Sequence, residues 1–223
     1  MAQLLYPRDA TRKHLSASRR HMRLCRQYTG AEFLVDQIQL PFNELKDKAA
    51  ATLKKEEIRE DKYDDLLIAD NQLDDAVRTV FRRCEEHDRT TPAEAVLPLV
   101  FPEEKFSHIV NMNMQQEPET VEMLAVRLEK QRKEHALYPL AKELRTKVAA
   151  SRKAIKAYDD SMKQIKLAET EEEMAKATLR KQYENNYLDA RKQLGKTRAE
   201  RLFPKLKTAS RPVQPVEEAA NGQ

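Results

Sequence analysis

Residues 144 to 165 read LRTKVAASRKAIKAYDDSMKQI, and within them Leu144, Val148, Ser151, Ile155, Tyr158, Met162 and Ile165 recur at alternating spacings of four and three. That alternation is the seam of a coiled coil, a narrow stripe that faces a partner helix. Arg145, Lys147, Arg152, Lys153, Lys156, Asp159, Asp160 and Lys163 lie between, so the other faces are solvated or salt-bridged. Only another helix can cover such a stripe. The pattern fixes an all-α architecture of packed long helices, and it leaves the activity open.

Working back toward the N-terminus, Pro118 with Glu117, Glu119 and Glu122 marks a helix start whose acidic turn suits the positive end of the helix dipole. Val121, Leu124, Ala125 and Leu128 open its apolar face, and Pro139 interrupts it. A first long helix is expected over about 8 to 57. Ala31, Val35, Ile38, Phe42, Leu45, Ala49 and Thr52 keep phase straight through Pro41, so one kinked helix is preferred to a stop at Thr29-Gly30. From Lys54 to Lys62 every residue except Ile58 is charged, and a reversal is placed there. The seam can be traced through Glu56 and Arg59, but two successive charges on a seam cost more than a turn. Tyr63, Leu66, Asp70, Leu73, Val77, Val80 and Cys84 then define a helix ending near Asp88.

A second reversal is placed over residues 166–173, where Thr170 and Glu173 have the spacing of a capping box. Leu179, Tyr183, Tyr187, Ala190 and Leu194 carry the last helix to about Phe203, before Pro204. The expected fold is an elongated antiparallel helical bundle of two long hairpins, four long helices in all. Hairpins 8–89 and 119–203 are joined by a Pro-rich crossover, 90–118, and make one domain over 1–203. A disordered tail is expected over 204–223. Fifty helical residues would rise about 75 Å. Thr91, Pro92, Pro98 and Pro102 forbid a long helix in the crossover, yet Val96, Leu97, Leu99, Val100, Phe101 and Phe106 are apolar. Phe101 and Phe106 are expected to pack on the bundle.

Composition agrees with a helical chain. Of 223 residues 35% are charged, mean hydropathy is −0.81, and only three are glycine, too few for the turns of a sheet protein. No stretch approaches the ~20 apolar residues of a membrane span, so a soluble, cytoplasmic protein is expected. Cys25 and Cys84 have no metal or redox spacing and fall on apolar stripes, as buried free thiols do.

Several enzyme classes fall to spacing alone. Three distant glycines cannot write a phosphate loop or a dinucleotide fingerprint, and neither Gly-x-Ser-x-Gly nor His-Glu-x-x-His occurs. Glu86 and His87 are adjacent, as are Glu134 and His135, so neither pair shares a helix face as di-metal ligands must. His14 and His21 share a face but stand about 10 Å apart along the axis, too far for one ion. No metal and no cofactor is expected. Asp70 breaks an apolar seam, and a basic neighbour or an outward turn accounts for it better than a catalytic role.

The net charge of +4 is unevenly spread. Residues 1–30 hold seven Lys and Arg against Asp9 alone, the stretch from Asp61 to Asp88 is acidic, and the end is basic again. The function expected first is that of a non-enzymatic coiled-coil scaffold or protein-interaction module that self-associates through an uncovered seam. The alternative is binding of an anionic polymer such as nucleic acid, or of an anionic membrane surface. The residues expected to carry that binding are Arg12, Arg19, Arg23, Arg26, Arg198, Arg201, Lys205 and Lys207. The two readings divide on whether the N-terminal arginines pair with Asp64, Asp74 and Asp75 or face away from them.

Overall fold

A computed structural model describes Ala2 and residues 4–102, 106–133 and 135–203. Those residues fold into helices joined by turns, with no strand among them. Helix α1 spans Thr11–Cys25, α2 Phe33–Thr90, α3 Leu97–Val100, α4 Phe106–Ile109, α5 Glu117–Glu129, α6 Tyr138–Leu194 and α7 Lys196–Leu202. The expected tail, with Lys205 and Lys207, lies outside the described residues.

The two expected reversals are absent. Helix α2 runs for 58 residues through Lys54–Lys62, and α6 for 57 residues through 166–173. Lys, Glu and Arg are strong helix formers, and neither stretch holds a glycine or proline, so nothing local stops the helix. The seam continues instead. Thr52 and Leu66 are buried with Glu56 and Arg59 half-buried between them, so the two charges lie along the edge of the stripe with their heads in water. In α6, Ile165, Ala175 and Leu179 are buried with Ala168 and Glu172 half-buried between. The Thr170 hydroxyl caps nothing; it donates back to the Lys166 carbonyl at 2.9 Å, the mid-helix habit of threonine.

The single helix expected over 8–57 is also divided. Its start is a turn in which the Tyr6 amide donates to the Asp9 carboxylate at 2.9 Å, so α1 begins at Thr11. Helix α1 ends at Cys25, and no helix can run on into α2, because Gly30 takes φ +83°, a left-handed conformation, with its amide donating to the Glu32 carboxylate. Pro41 lies inside α2. Gly195, at φ +81°, likewise separates α6 from α7.

Packing divides the described residues into two compact units, those within 1–49 and 171–203 and those within 50–170. In the first, α1, the start of α2, the end of α6 and α7 enclose a core that includes Leu34, Ile38, Leu45, Leu179, Tyr183, Leu202 and Phe203. The Leu34 carbonyl meets Asn186 and Lys48 meets Glu171, so α2 and α6 run antiparallel there. In the second unit, Leu73, Val77, Val80 and Cys84 of α2 pack with Leu124, Leu128, Leu144 and Val148. The connection from 91 to 116 closes this core. Val96, Val100, Phe101 and Ile109 are buried, and the Phe101 and Phe106 rings meet the Phe81 ring at 5.4 and 4.6 Å. Each fully buried side chain of this size contributes about 1.5–3 kcal/mol.

Candidate anion-binding face

Helix α1 divides its residues sharply. His14, Ala17, Ser18, His21, Met22 and Cys25 are buried on one side, and Arg12, Arg19 and Arg23 are exposed, as is Arg26, the C-cap, whose backbone is still helical. Spacings of seven, four and three at ~100° per residue put those four arginines within about 60° of one another on the helix surface. The helix contains no acid. Among the described ion pairs none involves Arg12, Arg19 or Arg23, and Arg26 donates only to the Gln39 side-chain oxygen at 3.3 Å. Asp74 and Asp75, the expected partners, bind Arg78 on their own helix at 3.1 Å, in the other unit. Arg198 and Arg201, exposed on α7, join the same unit, in which α7 packs on α1. Six of the eight residues expected from the sequence to bind an anion thus belong to one packing unit, and the other two lie outside the described residues.

What fixes this face is the buried side of α1. The imidazole of His21 is fully buried, with Nδ1 3.1 Å from the Leu202 carbonyl of α7 and Nε2 3.1 Å from Asn186 Nδ2 of α6. The same Asn186 nitrogen donates to the Leu34 carbonyl of α2 at 2.6 Å. Four helices therefore meet through one side-chain pair, capped by the Phe203 ring at 4.2 Å. Thr11 adds a bond from its hydroxyl to Glu172 at 2.6 Å. The sequence marked His14 and His21 as sharing a face, but nothing local pointed to Asn186, which lies 165 residues from His21.

The second unit holds a different polar site, which the sequence approached only through Asp70. Among the described residues no basic side chain pairs with Asp70. Glu117, the first residue of α5, is 2% exposed and lies close to Asp70 and Asp74, on two successive turns of α2. Burial first, and then the adjacent Asp74 and Asp70, push the Glu117 carboxyl up to about 8; burial raises Asp70 as well. Glu117 Oε1 and Asp74 Oδ1 are buried with no donor on either, so a proton on one oxygen supplies the missing hydrogen bond. Among the described residues no group of three or more His, Cys, Asp or Glu side chains is arranged to hold a metal ion.

No family model, curated protein or solved structure matches the chain. Among the described residues no helix is long and apolar enough to cross a membrane.

Proposed function

We propose that this chain is a non-enzymatic helical interaction protein that binds an anionic polymer of the nucleic-acid type through the arginine face of α1 and α7. The observation that carries the reading is the exposed, acid-free alignment of Arg12, Arg19, Arg23 and Arg26 on one side of a helix whose other side is anchored in a core. Beyond the favourable place of Arg23 in the last turn of α1, the fold gains little from these charges. Arg19 and Arg23 repel at i,i+4, Arg12 opposes the positive end of the dipole, and such terms cost about 0.2–1 kcal/mol each. A phosphate backbone reverses the sign of each term and releases its own counterions.

A membrane surface is less well served. The apolar side of α1 is spent on the core, and its exposed side offers only arginine and serine, with no aliphatic or aromatic residue to enter a bilayer. The discriminating experiment titrates the full chain with a DNA duplex, an RNA duplex and vesicles containing anionic lipid, each at low and high salt. Duplex binding that weakens steeply with salt supports the reading. Binding to vesicles alone, or none to any of the three, removes it. Light scattering of the same preparation tests the scaffold expectation, for which a second copy of the chain is the partner.

A further inference from the structure

The hydrogen-bond pattern around His21 admits one protonation state. The Leu202 carbonyl can only accept, so Nδ1, 3.1 Å away, carries the hydrogen. Asn186 must present its NH2 group to Nε2, because that nitrogen also donates to the Leu34 carbonyl at 2.6 Å while Asn186 Oδ1 accepts from Gln182 at 2.9 Å. Nε2 is therefore an acceptor. The neutral imidazole satisfies every atom, whereas an imidazolium would set an N–H against an NH2 group. Turning Asn186 over moves the conflict, since its oxygen would then face the Leu34 carbonyl. The other surroundings offer no relief. The Cys25 thiol of α1 lies 3.5 Å from Nδ1, Tyr183 of α6 meets the ring edge-on, and Phe203 after α7 covers it. Arg20 is close enough to act on Tyr183, and no charged side chain among the described residues acts on His21 itself.

We propose that His21 is a proton-operated latch, whose neutral ring holds α7, with Arg198 and Arg201, against α1 and whose protonation releases it. The latch regulates the face described above and rests on that reading only for its consequence, because docking of α7 is a property of the protein alone. Helix α7 is the element free to respond. It is seven residues long, it follows the Gly195 turn, and Leu202 and Phe203 are its deepest anchors. Burial holds the imidazole at about 4 in the docked state, against the opposing pull of the Leu202 carbonyl. A released ring regains an ordinary value near 6.5. Between pH 7.5 and 4.5 the docking equilibrium should weaken on the order of 50-fold.

Hydrogen exchange followed by mass spectrometry on the full chain tests this, with labelling times corrected for the intrinsic pH dependence of exchange. The expected result is a loss of protection of tens of fold in the peptide covering residues 196–203 at pH 4.5, with no loss of protection in α5, where the raised Glu117 favours the folded state as pH falls. That loss should vanish in His21→Gln, which donates and accepts without titrating, and persist in His14→Gln. Unchanged α7 protection in the wild type, or equal loosening in His21→Gln, overturns the latch. If His21→Gln does not fold, the wild-type imidazole and the α7 amides are titrated by NMR. A common midpoint supports the latch, and α7 amides that move while the ring stays neutral contradict it. None of these readouts contains a nucleic acid, so failure here leaves the anion-binding face standing, and loss of duplex binding leaves the latch standing.

Discussion

Two buried side chains set opposite pH limits on the two units. His21 is depressed to about 4 from an ordinary 6.5, so the unfolded chain binds the extra proton first. Its contribution is complete above pH 6.5 and is lost as pH falls toward 4, by about 3 kcal/mol in all. Glu117 is raised to about 8 from 4.5, so here the folded chain binds the extra proton. That contribution is complete below pH 4.5 and is lost as pH rises through 8. Urea unfolding of Glu117→Gln should therefore show a gain of about 1–3 kcal/mol at pH 8 and little change at pH 5, because a neutral amide still donates to Asp74 without adding charge. A variant less stable than wild type at pH 8 would mean that Glu117 is ionised and paired there. Asp88 is a third residue with a defined task. Its carboxylate accepts from the Val96 and Leu97 amides at 2.7 and 3.0 Å where α3 begins, and despite burial those bonds hold it below the usual carboxylate range. Asp88→Ala should cost about 1–3 kcal/mol by thermal or urea unfolding and should loosen exchange over residues 91–101.

At the scale of the element, the decisive fact is that α2 and α6 do not turn back. Glu57 is exposed in the middle of the charged stretch of α2. Glu57→Pro removes a helical hydrogen bond and should cost about 3 kcal/mol or more, whereas in a hairpin loop the change would be close to neutral. Helicity and unfolding free energy measured together decide between the two. The helical class itself was legible, since three glycines and seams at spacings of four and three admit little else. The ends of the helices were less so. Lys54–Lys62 looks like a loop by polarity, but its residue types favour a helix, and the cost set against a seam through Glu56 and Arg59 assumed that both charges are buried, whereas both are half-buried. Thr29-Gly30 carried a genuine stop signal that continuous phase outweighed; phase was kept because both helices line the same core, and no unbroken helix is needed for that. The arginines of the N-terminal segment were legible as a basic cluster, but their exposure was not, because it depends on which neighbours cover the other side of α1. The pairings of His21 with Asn186 and of Glu117 with Asp70 and Asp74 were not, because each joins residues far apart in sequence.

For the molecule as a whole, charge is distributed by unit. Basic residues outnumber acidic ones in the unit that contains α1 and α7, and the reverse holds in the unit of residues 50–170. Binding to a polyanion should therefore depend on the first unit, with the second contributing solubility or repulsion. The most direct measurement is the salt dependence of duplex binding by the full chain, followed by fluorescence anisotropy at pH 7.5, for the wild type and for Arg19→Ala/Arg23→Ala. Each phosphate contact contributes about 0.9 to the negative slope of log K against log salt. The expected result is a wild-type slope of about −4 to −5 that becomes shallower by about 2 in the double variant, with unchanged helicity. A slope and affinity that do not change when these two arginines are removed, or the absence of duplex binding at low salt, would contradict an anion-binding role for this face.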